Sequence, residues 1–453
     1  MKKIYLILIL LLIMNLISCK KDFLEIKPDQ KLLIPTTLAD MQALLDNDNV
    51  INTGIGLHAI SADDYELSYQ TLISFDSPAE RNSYTWNSDI FEGEPSFDWN
   101  LAYRQVFYAN VVLDGLKKIE NNNTNRSEYN IIRGSALFVR AFAFYELAQQ
   151  FAQPYNEVDA SNTLGIPLKL SSDVNERPGR GNLHGCYQKI IADLNEAFNL
   201  VPLKQAILTR PGKIAVKALL ARIYNSIGNH KQSLEASDYC IKQSPELMDF
   251  NTLIPTRPRP IASNNVEIIH KRFMEGYSFV FSLSLNVNPE IIKSYHVDDL
   301  RSLIFLRDYG NGNITFKGTY TNTAYLFSGL ATDEMYLIRA ESKAWENDLN
   351  GSMDDLNLLL KTRWKAGKYI SYTASTQKQA LEIIFMERRK ELISRGTRWT
   401  DLRKLNQNSL YAKTLVRQLN NQTIIILPQS LKYTFPIPQN EIDGSGIEQN
   451  TRE

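Results

Sequence analysis

Cysteine is almost missing: three in 453 residues, too few for a disulfide scaffold or for a zinc site made of four cysteines. The five histidines, at 58, 184, 230, 270 and 296, have no metal-ligand spacing. They read as polar surface or satisfied interior residues, and no metal or other cofactor is expected. There is no excess charge of either sign, because 50 lysines and arginines balance 50 aspartates and glutamates. Nothing therefore draws the whole chain to nucleic acid or to an anionic surface. Glycine-rich phosphate loops, His-Glu-x-x-His, Gly-x-Ser-x-Gly and Cys-x-x-Cys are all absent, which removes the commonest nucleotide, metallohydrolase, serine-hydrolase and thiol-redox signatures. Asp63-Asp64 and Asp298-Asp299 offer carboxylates for a glycosidase. Adjacent side chains usually point apart, so both pairs read as acidic loop residues. Cys186 and Cys240 read as small packing residues on helices, with a disulfide between them left open.

One long apolar run occurs, at the start. Met1-Lys2-Lys3 precedes the apolar stretch 4–14, which is short of the ~20 residues that span a bilayer, and the run closes on Leu16-Ile17-Ser18-Cys19. A positive end followed by a short apolar core makes residues 1–18 a signal peptide. The closing tetrapeptide resembles the lipobox of bacterial lipoproteins, which implies lipidation of Cys19 as the first residue of the mature chain. Processing removes two lysines and no acid, leaving 48 basic against 50 acidic side chains.

The rest divides by periodicity. Apolar residues recur at three- and four-residue spacing over 37–45, 98–120, 129–151, 183–200, 213–228, 231–243, 331–346, 353–364 and 376–406, which predicts helices. Residues 129–151 are apolar nearly all round and predict a helix buried between neighbours. Ala221, Tyr224, Gly228, Ser233, Cys240 and Pro245 match the small, aromatic and turn positions of a tetratricopeptide repeat, and Ala340, Asn347, Ser352 and Leu356 repeat the pattern. Leu359 is too large for the last small position. The expected fold is mainly α: helix pairs of tetratricopeptide type over 97–243 and 331–408. Loop-rich segments at 46–95 and 244–330 carry few short strands, with 277–283 extended. Phe435-Pro436-Ile437-Pro438 reads as an extended apolar clip.

Aromatics are plentiful, at 10% of the chain, and several fall in the loop-rich segments. Aromatic faces flanked by amides and guanidinium groups stack on sugar rings or clamp peptides. On that chemistry the candidate ligand contacts are Arg81 and Trp86 in the first loop segment, and Tyr309 and Tyr320 in the second.

Several stretches carry a family resemblance. Cys19 with Lys20-Lys21-Asp22-Phe23-Leu24-Glu25, the Trp99…Tyr103…Asn110 helix, residues 329–341, Glu387-Arg388-Arg389-Lys390-Glu391-Leu392, Gly396-Thr397-Arg398-Trp399-Thr400-Asp401-Leu402-Arg403 and the 435–438 clip together resemble the SusD/RagB family. The resemblance implies a SusD-like single unit over 19–453, with no catalytic activity and anchored by lipid to the outer membrane of a Bacteroidota cell, facing outward. Such a protein binds an oligosaccharide or, second, a peptide, and lids a SusC/RagA-type TonB-dependent transporter. The 387–403 motif reads as structural: Glu391 within helical reach of Arg388 and Arg395, Asp401 of Arg398, and Trp399 offering its face to a guanidinium. Two alternatives stand beside this reading, a tetratricopeptide-type scaffold that grips only protein partners and a secreted hydrolase. If the family reading holds, near-neutrality favours an uncharged sugar or mixed peptide over a sulfated or uronic polymer, unless a local basic loop reverses it.

Overall fold

Residues 129–151, apolar nearly all round, fall in the longest helix among the described residues. Arg126–Phe151 buries Ala136, Ala141, Phe144 and Leu147 completely, as a rod with no polar face requires. The computed structural model describes residues 35–452, so the expectations for the signal peptide 1–18 and for Cys19 lie outside the described residues. Among the described residues, helices of eight residues or more are numbered α1 (Leu38–Leu45), α2 (Phe97–Leu116), α3 (Arg126–Phe151), α4 (Leu183–Leu200), α5 (Lys213–Ser226), α6 (His230–Gln243), α7 (Thr332–Trp345), α8 (Leu349–Lys361), α9 (Gln377–Glu391) and α10 (Arg398–Leu405). α3 packs between α2 and α4, and α5, α6, α7 and α8 stack in chain order.

The repeat pattern has a direct structural cause. In α5–α6 the Ser233 hydroxyl donates to the Ala221 carbonyl at 3.2 Å, and in α7–α8 the Ser352 hydroxyl donates to the Ala340 carbonyl at 2.7 Å. A small residue facing a serine twelve positions on lets each pair of helices close. Gly228 and Asn347 turn the chain with φ of 75° and 63°, and Asn229 and Asp348 cap the following helices. Leu359 is accommodated with no exposure.

Two expectations are corrected. The continuous helix over 376–406 is two helices, α9 and α10, separated where Ser394 and Gly396 take φ of 63° and 74°. The alternating stretch 277–283 forms a short helix, Ser278–Phe281, and not an extended run. The loop-rich segment 46–95 carries the short helices Asp48–Ile51, Leu57–Ser61, Tyr69–Ile73 and Pro78–Tyr84. The hairpin Leu415–Leu419/Gln422–Ile426 was not foreseen; Asn420 and Asn421, with φ of 46° and 65°, make its two-residue turn. The strands form two-stranded sheets.

Two hydrophobic cores result. One fills the space between α1 to α10 and takes in Phe435 and Ile437 of the apolar clip. The second lies under the loop-rich segments and is built from residues such as Ile60, Tyr84, Phe279, Val287, Phe305 and Phe327. Cys186 and Cys240 are buried free thiols donating to the carbonyls of Ile166 and Ile214, so the disulfide left open does not form.

Candidate functional site

The C-terminal motif holds the two cores together. Arg301, from the loop-rich part and fully buried, meets Asp299 at 2.7 Å, Glu387 at 2.5 Å and Glu391 at 3.1 Å. Arg363 meets Glu391 at 2.8 Å and Glu267 at 2.7 Å. The structural reading of this stretch stands, but its expected pairings are corrected. Glu391 reaches across to Arg301 and Arg363 rather than along its helix. Asp401 pairs with Arg388 at 2.9 Å, Arg395 with Asp333 at 2.8 Å and Arg398 with Asp63 at 2.6 Å. Trp399 carries the rings of Tyr433 at 4.8 Å and Phe435 at 6.4 Å. Buried charges survive only with partners, so these carboxylates are committed to ion pairs. Among the described residues no three His, Cys, Asp or Glu side chains converge as a metal site.

The four candidate ligand contacts separate sharply. Trp86 is 3% exposed, its indole N–H donates to the Ser61 carbonyl at 2.9 Å and the Arg417 guanidinium lies 4.3 Å over its ring. Tyr320 is fully buried, its hydroxyl donates to Glu267, and Arg395 stacks on its ring at 3.8 Å. Neither presents an open face, which corrects that expectation. Arg81 uses its guanidinium on the carbonyls of Phe75 and Asp76, closing a local turn. Irregular segments look exposed in a sequence, yet these pack on the second core, and the packing takes their aromatics inside. Tyr309 differs: it is 40% exposed and lies on a groove.

That groove has a volume of about 330 Å³, within the range of small-ligand sites. Its outer wall is the hairpin Leu306–Asp308/Ile314–Phe316, whose tip turns through Gly310 and Gly312. The hairpin is tied down where Asn286 accepts from the Ile314 N–H at 2.9 Å. Phe281 and Leu283, 44% and 67% exposed, also line the groove, and the Asn313 side-chain amide at the hairpin tip donates to the Leu283 carbonyl. The floor is stiffened by Thr319 and Thr321, which both donate to the Tyr325 carbonyl, at 2.9 and 2.6 Å. Tyr325 meets Phe281 edge-on at 5.4 Å. The rings close over Gly276, where a Cβ would come within 2.8 Å of Tyr325 and 3.0 Å of Phe281.

Three cations also line it. Arg259 donates to the Thr323 carbonyl at 2.5 Å, Arg307 to the Pro258 carbonyl at 3.2 Å, and Lys317 to the Pro255 carbonyl at 2.6 Å. The Arg307 guanidinium lies 5.8 Å from the Tyr309 ring. Burial, and then the nearby Arg307, lower the Lys317 ammonium from its ordinary value. These cations and Phe281 were missed by sequence reasoning. The available signal was Arg257-Pro258-Arg259-Pro260, a basic stretch without a neighbouring acid.

Comparison with known proteins gives consistent matches. A family model described as starch-binding associating with outer membrane, SusD-like, covers residues 22–225, and one described as SusD family covers 330–451. The SusD-like protein P2 of Formosa agariphila is 28% identical over 163 residues, a stretch amounting to 36% of this chain and 30% of that protein. Among solved structures, a SusD superfamily protein of Bacteroides thetaiotaomicron aligns with a TM-score of 0.74 at 20% identity, covering 92% of this chain and all of that one. A putative sugar binding protein of Bacteroides vulgatus aligns with a TM-score of 0.72 at 20% identity, over 92% of this chain and 98% of the other. At these identities the solved structures share the fold.

Proposed function

Because the chain belongs to the SusD family, matched by its models over 22–225 and 330–451, we propose that it is a non-catalytic binding protein for a nutrient glycan. The observation that carries the reading is the groove lined by exposed Tyr309 and Phe281 together with polar side chains such as Thr315 and Thr319. Aromatic faces stack on sugar rings while neighbouring donors engage hydroxyls. The putative sugar binding protein of similar fold supports a glycan over a peptide. In the same reading Cys19 carries the lipid that holds the protein at the outer membrane, facing outward, and the glycan passes to a SusC/RagA-type TonB-dependent transporter. Shape and stacking perform the capture, and the transporter supplies the energy of uptake.

The test is a glycan array with the soluble chain that follows Cys19, the best hit then being titrated by calorimetry. Tyr309→Ala is expected to weaken that hit about tenfold or more, the loss of one stacking contact plus its hydroxyl. The melting temperature should hold, because the ring sits on a hairpin tip and outside both cores. Unchanged affinity would retire this groove as the site.

A further inference from the structure

Many buried guanidinium groups find carboxylates, Arg301, Arg363, Arg388, Arg395 and Arg398 among them, whereas Arg403 and Arg417 bond backbone carbonyls. The groove gathers three cations of the second kind. Arg259, Arg307 and Lys317 line it, and no aspartate or glutamate does. Asp308 follows Arg307 on the strand, where successive side chains alternate sides, and it accepts from the Gly310 N–H at 2.8 Å. The three cations bond backbone carbonyls at Thr323, Pro258 and Pro255. A neutral carbonyl satisfies a donor without cancelling its charge. An arginine has five N–H donors and a lysine three, so several remain for a ligand.

Building on the glycan-binding reading, we infer that the groove takes an anionic oligosaccharide, whose carboxylate or sulfate groups sit on Arg307, Lys317 and Arg259 while its rings lie against Tyr309 and Phe281. Two arguments carry it. Like charges gathered along one groove repel, and an anion between them relieves the repulsion; beside this geometry, burial and then Arg307 lower the Lys317 ammonium from its ordinary value. A guanidinium fork also matches carboxylate and sulfate oxygens two at a time, with a directionality that solvent lacks. The near-balance of 48 against 50 charges in the mature chain pointed to an uncharged ligand. The local field of the groove outweighs it, because screening limits distant charges to about 8–10 Å at ordinary salt.

The experiment uses calorimetry with four probes: tetragalacturonate, a sulfated galactan tetrasaccharide, neutral galactotetraose and a glutamate-rich hexapeptide. The expected result is that one of the two charged sugars binds at least about tenfold more tightly than the neutral sugar and the peptide. Whichever of them binds identifies carboxylate or sulfate as the recognised group. Raising the salt from roughly 0.05 to 0.5 M should weaken that binding several-fold, and Arg307→Gln and Lys317→Gln should each abolish most of the preference while leaving the melting temperature unchanged. Equal binding of charged and neutral sugars, with Arg307→Gln silent, would overturn the charge assignment and leave the glycan reading standing. Preference for the peptide, or no binding by either charged sugar, would also overturn the assignment. The glycan reading is then judged by the array and by Tyr309→Ala.

Discussion

Two neighbouring aspartates show how far a side chain's chemistry depends on contacts that lie outside its own stretch of sequence. Burial pushes the Asp63 carboxyl up, but Arg398 at 2.6 Å and Arg389 at 3.0 Å overcome it and hold it well below the usual carboxylate range. The Oδ1 of Asp64 has no hydrogen-bond partner, and burial, then the charge of Asp63, push its carboxyl up to about 6. Its unfolded value is about 3.9, so between about 4 and 6 the folded protein binds the extra proton, and Asp64 lowers stability progressively as pH rises through that window. Asp64→Asn keeps the shape and removes the titration. The stability gap between the variant and the native chain is expected to grow across this window and then level off, in the variant's favour, on the order of 3 kcal/mol. Urea unfolding at a series of pH values measures it, and a gap independent of pH would refute it. Asp63 and Asp64 were legible as a carboxylate pair, but which one carries the charge is decided by Arg389, Arg398 and Lys413, more than three hundred positions away. Trp86 and Tyr320 were misread for the same reason. An aromatic in an irregular segment looks exposed until the surface it packs on is known.

Helices of thirteen residues or more could be read from periodicity because each buries its own stripe, and Ser233 and Ser352 could be placed because repeat geometry is local to a helix pair. Short helices such as Leu57–Ser61 escape that reading, since a single turn is marginal alone and forms only by packing, here Leu57 on the first core and Ala59 and Ile60 on the second. The break between α9 and α10 escaped it because Ser394 and Gly396 interrupt an apolar period that continues through them. Gly396 combines a φ of 74° with crowding: a Cβ there would stand 2.9 Å from Met274 and 3.0 Å from the His58 Nε2 atom. His58 donates to the Gly396 carbonyl at 2.9 Å and so pins the break to the loop-rich part. Gly396→Ala is expected to cost more than Gly228→Ala, which meets a φ of 75° with nothing within 4 Å. The second change carries only the left-handed strain of about 1 kcal/mol; the first adds the clash, for a total of roughly 2–4 kcal/mol. Equal losses for the two, by chemical denaturation, would show that the loop gives way and that the break is not a fixed point of the fold.

At the scale of the whole molecule, ion pairs between the two cores tie the loop-rich part to the helices through Arg301, Arg363 and Arg398, and the groove then rests on a rigid base. Legibility reverses at this scale: the broad division into scaffold and loop-rich segments was readable, whereas the local charge of the groove was hidden by an overall balance near zero. The same balance bears on how the protein is held. No helix among the described residues is long and apolar enough to cross a membrane, and residues 19–453 carry two more acids than bases, so net charge supplies no attraction to an anionic surface. Under the proposed function, attachment is by the lipid at Cys19. Each buried methylene contributes about 0.8 kcal/mol, and anchoring becomes stable once more than one acyl chain is present. Cys19→Ala is expected to incorporate no labelled fatty acid and to leave the membrane fraction, while the purified protein binds the array glycan with unchanged affinity. Labelling at the native level would remove the anchor from Cys19. Loss of affinity along with the anchor would mean that the groove depends on the membrane for its shape, contrary to a site built on a hairpin, a threonine-bonded floor and a charged interior that are all internal to the chain.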